Sequence, residues 1–355
     1  MERDSRALAR WLPRVAARVP WVTLGDWPTR IDRIVVANRP IWIKREGDSS
    51  PRYGGNKVRT LEAWLGHTRA TGARRIWAIG AYGSNHVIAT VRHARAIGLE
   101  AGAIVFPQPA SEWAIENAGA LIESGVPIVR LRNVVEVPFA GVAIALVHRH
   151  DVVMPPGGAT PIGTLGALSA AFELAEQIAD GAAPAPRRIV VPAGSTCTTA
   201  GLVSGLALAH AIGAWRWPLP IVHAVRVTPW PVTSRLVITR LAAATLARIA
   251  SLGGPRVQLG NARLIVDGDE LGPGYGEMTP QGLAAIEMLG DHARLDGVYS
   301  GKAAAALLRL HARNVGPLLF WSTKASTPLP APSSDALRKA HRKLVAWTTS
   351  LTTQR

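Results

Sequence analysis

The feature that most constrains this chain is an alternation, kept up almost from end to end, of short apolar β-rich runs with longer stretches of helical spacing. Residues 75–79 (RIWAI), 101–106 (AGAIVF), 187–191 (RRIVV) and 221–227 (IVHAVRV) read as buried strands, with 85–97 and 162–178 as helices between them. Strand, helix and strand in succession pack as a parallel sheet with helices on its faces, so the predicted class is α/β. Two Gly/Pro-rich stretches, 47–55 (GDSSPRYGG) and 154–163 (MPPGGATPIG), interrupt the pattern. They predict chain crossings that make 52–158 a small domain inserted into a large one built from 1–51 and 159–326.

Both ends carry extra elements. Residues 326–333 (STPLPAPS) form a linker, and 327–355 are read as linker plus a tail helix capped by Ser334, with Leu337, Ala340, Leu344, Trp347 and Leu351 on one stripe. That stripe predicts packing on another surface, a second subunit included, and a homodimer is the expected assembly. The arginine-rich opening, residues 1–20, lacks an apolar signal core and carries Glu2 and Asp4, so it is read as an amphipathic docking segment.

Composition removes several classes. With 48% apolar and 18% charged residues in 355, the chain can bury a sizeable core. A lone Cys197 rules out an intrachain disulfide and cysteine-built zinc sites, and points to a reducing, cytoplasmic setting. The uncharged run 189–215 is broken by Pro192, Gly194 and the hydroxyls of 195–199, which speaks against a membrane span. Net charge is +16, yet the 34 arginines are scattered and no zinc-finger, homeodomain or RNA-recognition signature occurs. An electropositive surface for small anions explains that balance better than nucleic-acid binding. Hydrolase elbows and His-Glu-x-x-His helices are absent, and the ten histidines show no metal-ligand spacing.

Four segments carry chemistry. Lysine is scarce, six in all, so Lys57 in the turn Tyr53-Gly54-Gly55-Asn56-Lys57 draws notice. Partly desolvated at the mouth of a cleft, it would be a nucleophilic amine or a base; in the open it would be a solvated helix-start lysine. Gly80-Ala81-Tyr82-Gly83-Ser84-Asn85-His86 falls between a strand and a helix, where free amides and side-chain donors receive a carboxylate, or where Ser84 and Asn85 only cap the helix. Gly194-Ser195-Thr196-Cys197-Thr198-Thr199 also follows a strand and precedes an apolar helix, an arrangement suited to a phosphate. It has no Walker lysine, which speaks against nucleoside triphosphate hydrolysis. The fourth comprises Gly274-Tyr275-Gly276 and 296–302 (DGVYSGK); all four tyrosines of the chain lie in or beside these segments.

Taken in order, 44–62 (KREGDSSPRYGGNKVRTLE), 79–86 (IGAYGSNH), 154–166 (MPPGGATPIGTLG), 192–206 (PAGSTCTTAGLVSGL) and 295–308 (LDGVYSGKAAAALL) resemble the successive motifs of the D-cysteine desulfhydrase and 1-aminocyclopropane-1-carboxylate deaminase family. The resemblance runs from about Trp21 to Ser326. It implies a two-lobed fold of the tryptophan synthase β-subunit type (fold type II), each lobe a mostly parallel sheet flanked by helices, with pyridoxal phosphate as cofactor. By that resemblance Lys57 bonds the cofactor aldehyde and moves the Cα proton, and Asn85 holds the 3-hydroxyl. Ser84 and His86 surround the substrate carboxylate, while Gly194, Ser195, Thr196, Cys197, Thr198 and Thr199 hold the phosphate. Tyr275 and Tyr299 are active-site tyrosines, and Ser300 and Thr323 face the ring nitrogen.

Several positions depart from the family pattern: Thr196-Cys197 where paired glycines are usual, Trp321-Ser322-Thr323-Lys324-Ala325 in place of His-Thr-Gly-Gly, and Gly297 for a proline. Ser300 stands where the cyclopropane-opening branch has Glu, and His86 replaces Gln. These last two favour the desulfhydrase branch. The implied activity is a pyridoxal-phosphate lyase that carries out β-elimination on a small amino acid, D-cysteine or a β-substituted relative, giving a 2-oxo acid and ammonia. Ring opening of the cyclopropane acid and a catalytically silent binding protein are the alternatives.

Overall fold

The structure, a computed structural model, describes residues 5–260 and 263–351. The outer ends of both predicted terminal segments, 1–4 and 352–355, lie outside the described residues. Among the described residues, ten strands form two sheets. The larger contains β1 (Ile31–Val36), β2 (Arg39–Arg45), β7 (Arg188–Ala193), β8 (Ile221–Arg226), β9 (Leu264–Asp267) and β10 (Leu318–Ser322), in the order β1-β2-β10-β7-β8-β9. The smaller contains β3 (Arg75–Ala81), β4 (Glu100–Phe106), β5 (Ile128–Arg130) and β6 (Asp151–Met154), in the order β5-β4-β3-β6. Every pairing is parallel except β1 with β2, a hairpin turning through Ala37 and Asn38, both at positive φ. Residues 31–45 thus add a hairpin the alternation had not exposed, since Ala-Asn is not the usual Asn-Gly signal for such a turn.

Both faces of each sheet are covered, as parallel sheets require. On one side of the large sheet the helices Leu165–Ala179, Cys197–Ala211 and Arg235–Ser251 build a core around Phe172, Leu202 and Ile249. On the other, Pro280–Leu289 and Ser300–Ala312 pack over Phe320, Val190 and Ile43. The small sheet is covered by Lys57–Ala70, Asn85–Ala96 and Glu112–Glu123 on one face and by Val137–Val147 on the other.

The N-terminal segment docks as read: its two short helices, Ala7–Trp11 and Pro13–Ala16, place Leu8 and Val15 in the large core, and Trp11 meets Phe172 at 6.2 Å. The tail differs from expectation. Ser333, not Ser334, supplies the cap, and Ala340 adopts an extended conformation that splits the helix into Ser334–Lys339 and Arg342–Thr348. Its apolar stripe is used within the chain: Leu344 is fully buried in the small-sheet core, and Trp347 packs on Tyr82 at 5.3 Å and donates to the Gln108 carbonyl at 2.8 Å.

The helix that begins at Lys57 is fixed by a buried ionic network. Arg59 donates to Glu46 at 2.6 Å and to Glu173 at 2.8 Å, and its guanidinium lies 3.8 Å from the Trp27 ring centre. Lys44 pairs with Glu173 and donates to Gln177 Oε1 at 2.7 Å. One turn on, Glu62 takes Arg6 at 2.7 Å and Trp27 Nε1 at 3.1 Å. Every charge here meets an opposite one, the condition under which buried ions are tolerated.

Candidate functional site

In open parallel sheets, ligands bind beyond the carboxyl ends of the strands. Here the ends of β3 and β7 open into one cavity of about 660 Å3 between the two sheets, lined by residues 79–81 and 192–194 together with the helix starts that follow them. Lys57, Ser84, Asn85, His86, the whole turn Gly194 to Thr199, Tyr275, Tyr299 and Thr323 line this single space.

Lys57 enters it from a turn that only glycine allows. Gly55 has φ +98°, and a Cβ there would lie 2.8 Å from the Thr323 carbonyl; a Cβ on Gly54 would strike the Gly47 carbonyl. The Lys57 amine makes no hydrogen bond among the described residues, and burial lowers its pKa from the ordinary lysine value. An amine with no partner among the described residues and a lowered pKa suits a nucleophile or a base.

Opposite, Ser84 caps the helix Asn85–Ala96, its Oγ accepting from Val87 N at 3.3 Å. The Asn85 side chain is oriented by three donors on one oxygen: Asn117 Nδ2 at 2.9 Å, Lys324 Nζ at 3.1 Å and the Tyr53 hydroxyl at 3.2 Å. With Oδ1 so occupied, Nδ2 is the group left to face the cavity as a donor. His86 is buried with neither ring nitrogen hydrogen-bonded; burial first, then Lys57, holds its pKa well below the usual histidine value, so it is neutral.

The second helix start differs. Thr196, at the N-cap of Cys197–Ala211, sits at φ +69° and makes no side-chain cap bond. Such a conformation costs a β-branched residue roughly 1–2 kcal/mol. The first amides of this helix remain uncapped, and Thr199 Oγ1 is buried without a partner. Thr198 Oγ1 accepts from Asn56 Nδ2 at 2.7 Å, and Cys197 Sγ lies 3.5 Å from the Gly158 carbonyl. A Cβ on Gly157 would meet Ser195 Oγ at 1.9 Å and Lys57 Nζ at 3.7 Å, so one glycine stands between the amine and the open helix start. Buried donors without acceptors at a helix N-terminus form a receptor for an anion.

Two tyrosines form the third wall. Their hydroxyls are 2.7 Å apart and their rings meet edge to face, with centres 6.1 Å apart. Burial pushes Tyr275 up to about 12 and Tyr299 well above the usual phenol value, so both are protonated. The Tyr299 ring lies against Gly194, where a Cβ would come within 2.9 Å of it.

Ser300 is not brought to the cavity. It is fully buried, and its hydroxyl accepts from Asp296 N at 2.7 Å and donates to Asp296 Oδ2 at 3.0 Å, closing the turn before its own helix. Thr323 does line the space. Of the other tyrosines, Tyr53 stands behind Asn85 and Tyr82 lies under the tail. Asn56, Asn117 and Lys324 belong to the site without having been expected there. The readable trace of Asn117 was an amide among the otherwise apolar buried residues of the helix Glu112–Glu123.

The chain is similar to several known proteins. The family model described as pyridoxal-phosphate dependent enzyme matches residues 22–317. Among curated proteins, the chain is 34% identical over 325 residues to a nocardicin C-9′ epimerase of Nocardia uniformis subsp. tsuyamanensis, covering 86% of this chain and 92% of that protein. It is 29% identical over 305 residues to a D-cysteine desulfhydrase of Klebsiella pneumoniae, covering 82% and 88%. Among solved structures, an ACC deaminase homologue superposes with a TM-score of 0.72 at 28% identity, covering 92% of this chain and 96% of that one.

Proposed function

Because the chain belongs to the pyridoxal-phosphate dependent enzyme family, we propose that it is a lyase that removes the β-substituent and amino group of a D-amino acid of the cysteine type, releasing a 2-oxo acid and ammonia. The observation that carries this reading is the unpaired amine of Lys57 opening into the same cavity as the uncapped helix start at Thr196.

The residues present fit pyridoxal phosphate. The amides after Thr196 and the Thr199 hydroxyl would take its phosphate, Lys57 its aldehyde, and Asn85 Nδ2 its ring hydroxyl. Thr323 is the hydroxyl residue on the cavity wall for the ring nitrogen, since the Ser300 hydroxyl is committed to Asp296. When bound, the cofactor delocalises the electron pair left at Cα once its proton departs.

The chain's own groups do the rest. Neutral Lys57 Nζ accepts the Cα proton. Ser84 and neutral His86 donate to the substrate carboxylate. The leaving sulfur takes its proton from the paired hydroxyls of Tyr275 and Tyr299, which can pass a proton between them at 2.7 Å.

Purified protein saturated with cofactor should absorb at roughly 410–430 nm and release sulfide and pyruvate from D-cysteine, and Lys57→Ala should lose both. Cofactor colour with no turnover over D- and L-amino acids would instead identify a silent binding protein. Conversion of the cyclopropane acid to 2-oxobutyrate would move the reading to ring opening. Identity to an epimerase favours a second reading, inversion at Cα; its mark is loss of the Cα proton signal in D2O with no 2-oxo acid formed.

We further propose how the chain divides into domains, where it resides and how it assembles. The small domain spans 52–158 within a large one of 1–51 and 159–326, followed by a tail from 327. Among the described residues no helix is long and apolar enough to cross a membrane, and a cytoplasmic location suits the single buried thiol. Phe139, Val142, Leu146 and Val147 expose the apolar side of the helix Val137–Val147, a surface for a homodimer that light scattering would detect.

A further inference from the structure

Resting on the reading above, we infer that the substrate carries a large apolar group, of the size of a benzyl ring, beyond its β-sulfur or equivalent atom. The first ground is volume. At roughly 20 Å3 per non-hydrogen atom in crystal-like packing, pyridoxal phosphate and cysteine together, about 22 such atoms, fill about 440 Å3. About a third of the 660 Å3 cavity is left.

The second ground is where that space lies and what surrounds it. The polar groups described above are gathered around Lys57 and the two helix starts. The outer wall carries large apolar side chains from both sheets, with Arg132 and Asn133 at its edge: Val134 and Val137 precede and open one helix of the small-sheet side, while Trp230 and Val232 come from the loop after β8. Val134 is 57% exposed, Trp230 74% and Val232 53%, although all three line the cavity. Large side chains left facing solvent at a pocket mouth lose the stabilisation of burial unless a ligand covers them.

The third ground is rigidity. The loop bearing Trp230 and Val232 is pinned at both ends to the phosphate turn, Thr228 Oγ1 donating to the Gly194 carbonyl at 3.1 Å and Thr233 Oγ1 to the same oxygen at 2.6 Å. Asn133 Oδ1 accepts from Val135 N at 2.9 Å and closes a local turn in the facing wall. The Trp230 wall is thus held at a set position relative to the reacting end. A free thiol would leave the apolar walls wet, whereas an aryl group would dry them.

For an S-benzylcysteine the balanced reaction breaks Cα–H and Cβ–S. The Cβ–S electron pair leaves on sulfur, which takes a proton. One water supplies the carbonyl oxygen of pyruvate, with phenylmethanethiol and ammonia as the other products.

The test uses cysteine and S-benzylcysteine, each as D and L enantiomer, on cofactor-loaded protein. Pyruvate formation should show kcat/KM at least tenfold higher for the benzyl compound than for cysteine of the same hand. Val134→Trp, which narrows the mouth at an exposed position, should lower that ratio at least tenfold. Calorimetry on Lys57→Ala with cofactor present, which needs no turnover, should show the benzyl compound binding more tightly than cysteine. A ratio at or below one, or a ratio that Val134→Trp leaves unmoved, overturns the inference while leaving the lyase reading intact. If neither compound yields 2-oxo acid the lyase reading fails, and calorimetry alone then decides: equal or weaker binding of the benzyl compound sinks the inference, and tighter binding sustains it.

Discussion

Lys57 and Arg59 are two residues apart on one helix and meet opposite treatment. Arg59 is buried with two carboxylates and an aromatic face around its guanidinium; Lys57 is surrounded by protein with no acidic partner and no hydrogen bond among the described residues. The same backbone carries both, so the difference lies in what the fold brings to each side chain. A buried basic group with every partner supplied orders the structure, and one with none is held for a ligand. Asn85 and Thr199 repeat the contrast among neutral groups: three donors converge on the Asn85 oxygen, while the Thr199 hydroxyl has nothing.

The sharpest way to break this comparison is to remove each cation's function in turn. Lys57→Ala should lower turnover about 10⁴-fold, equivalent to about 5.5 kcal/mol of barrier, while leaving the cofactor-free melting temperature unchanged or higher, because a buried polar group without a partner has been removed. Glu173→Ala should do the reverse on stability: it takes the carboxylate from Lys44 and leaves Arg59 with Glu46 alone, and denaturant unfolding should register a loss of about 3–5 kcal/mol. The pH dependence follows the same logic. Burial alone would raise the Glu173 carboxyl, but Arg59 and Lys44 bring it down to about 2. A depressed carboxylate contributes stability that is complete above its unfolded value of about 4.3 and disappears as pH falls through its folded one. The acid limb of the wild-type unfolding curve should therefore steepen between about pH 4.3 and 2, and Glu173→Gln should flatten it.

Smaller effects refine the neutral half of the contrast. Lys324→Met removes one of three donors from Asn85 and should weaken cofactor binding about tenfold by absorbance titration, as a charged donor contributes roughly 1.5–3 kcal/mol. An unchanged dissociation constant would show that Asn117 and Tyr53 suffice to orient the amide. Thr196→Gly relieves the left-handed strain and should raise stability by about 1 kcal/mol; a loss instead would mean that the threonine side chain itself braces the turn.

The site was legible in the sequence to the extent that it is local. Turns between a strand and a helix concentrate small and hydroxyl residues in one short window, so 80–86 and 194–199 stand out, and the scarcity of lysine marks Lys57. Support that arrives from distant segments leaves no such trace. Glu46, Arg59 and Glu173 meet across more than a hundred residues, as do Asn85 and Lys324. Nor does residue type reveal how a group is already engaged: Ser300 had the right chemistry for a ring partner, but Asp296 uses its hydroxyl. The tail was read as one helix because its apolar spacing continues through Ala340, where only the backbone shows the break.

That tail has a consequence for how a substrate reaches Lys57. The chain passes between the sheets after β2, after β6 and again after β10, and the last passage is tied down where Glu116 and Glu123 accept from the backbone of Leu329 and Ser333. Parting the sheets to admit a molecule would mean stripping that third strap from its anchors. An opening beside Trp230, which lines the cavity and is 74% exposed, leaves those anchors in place.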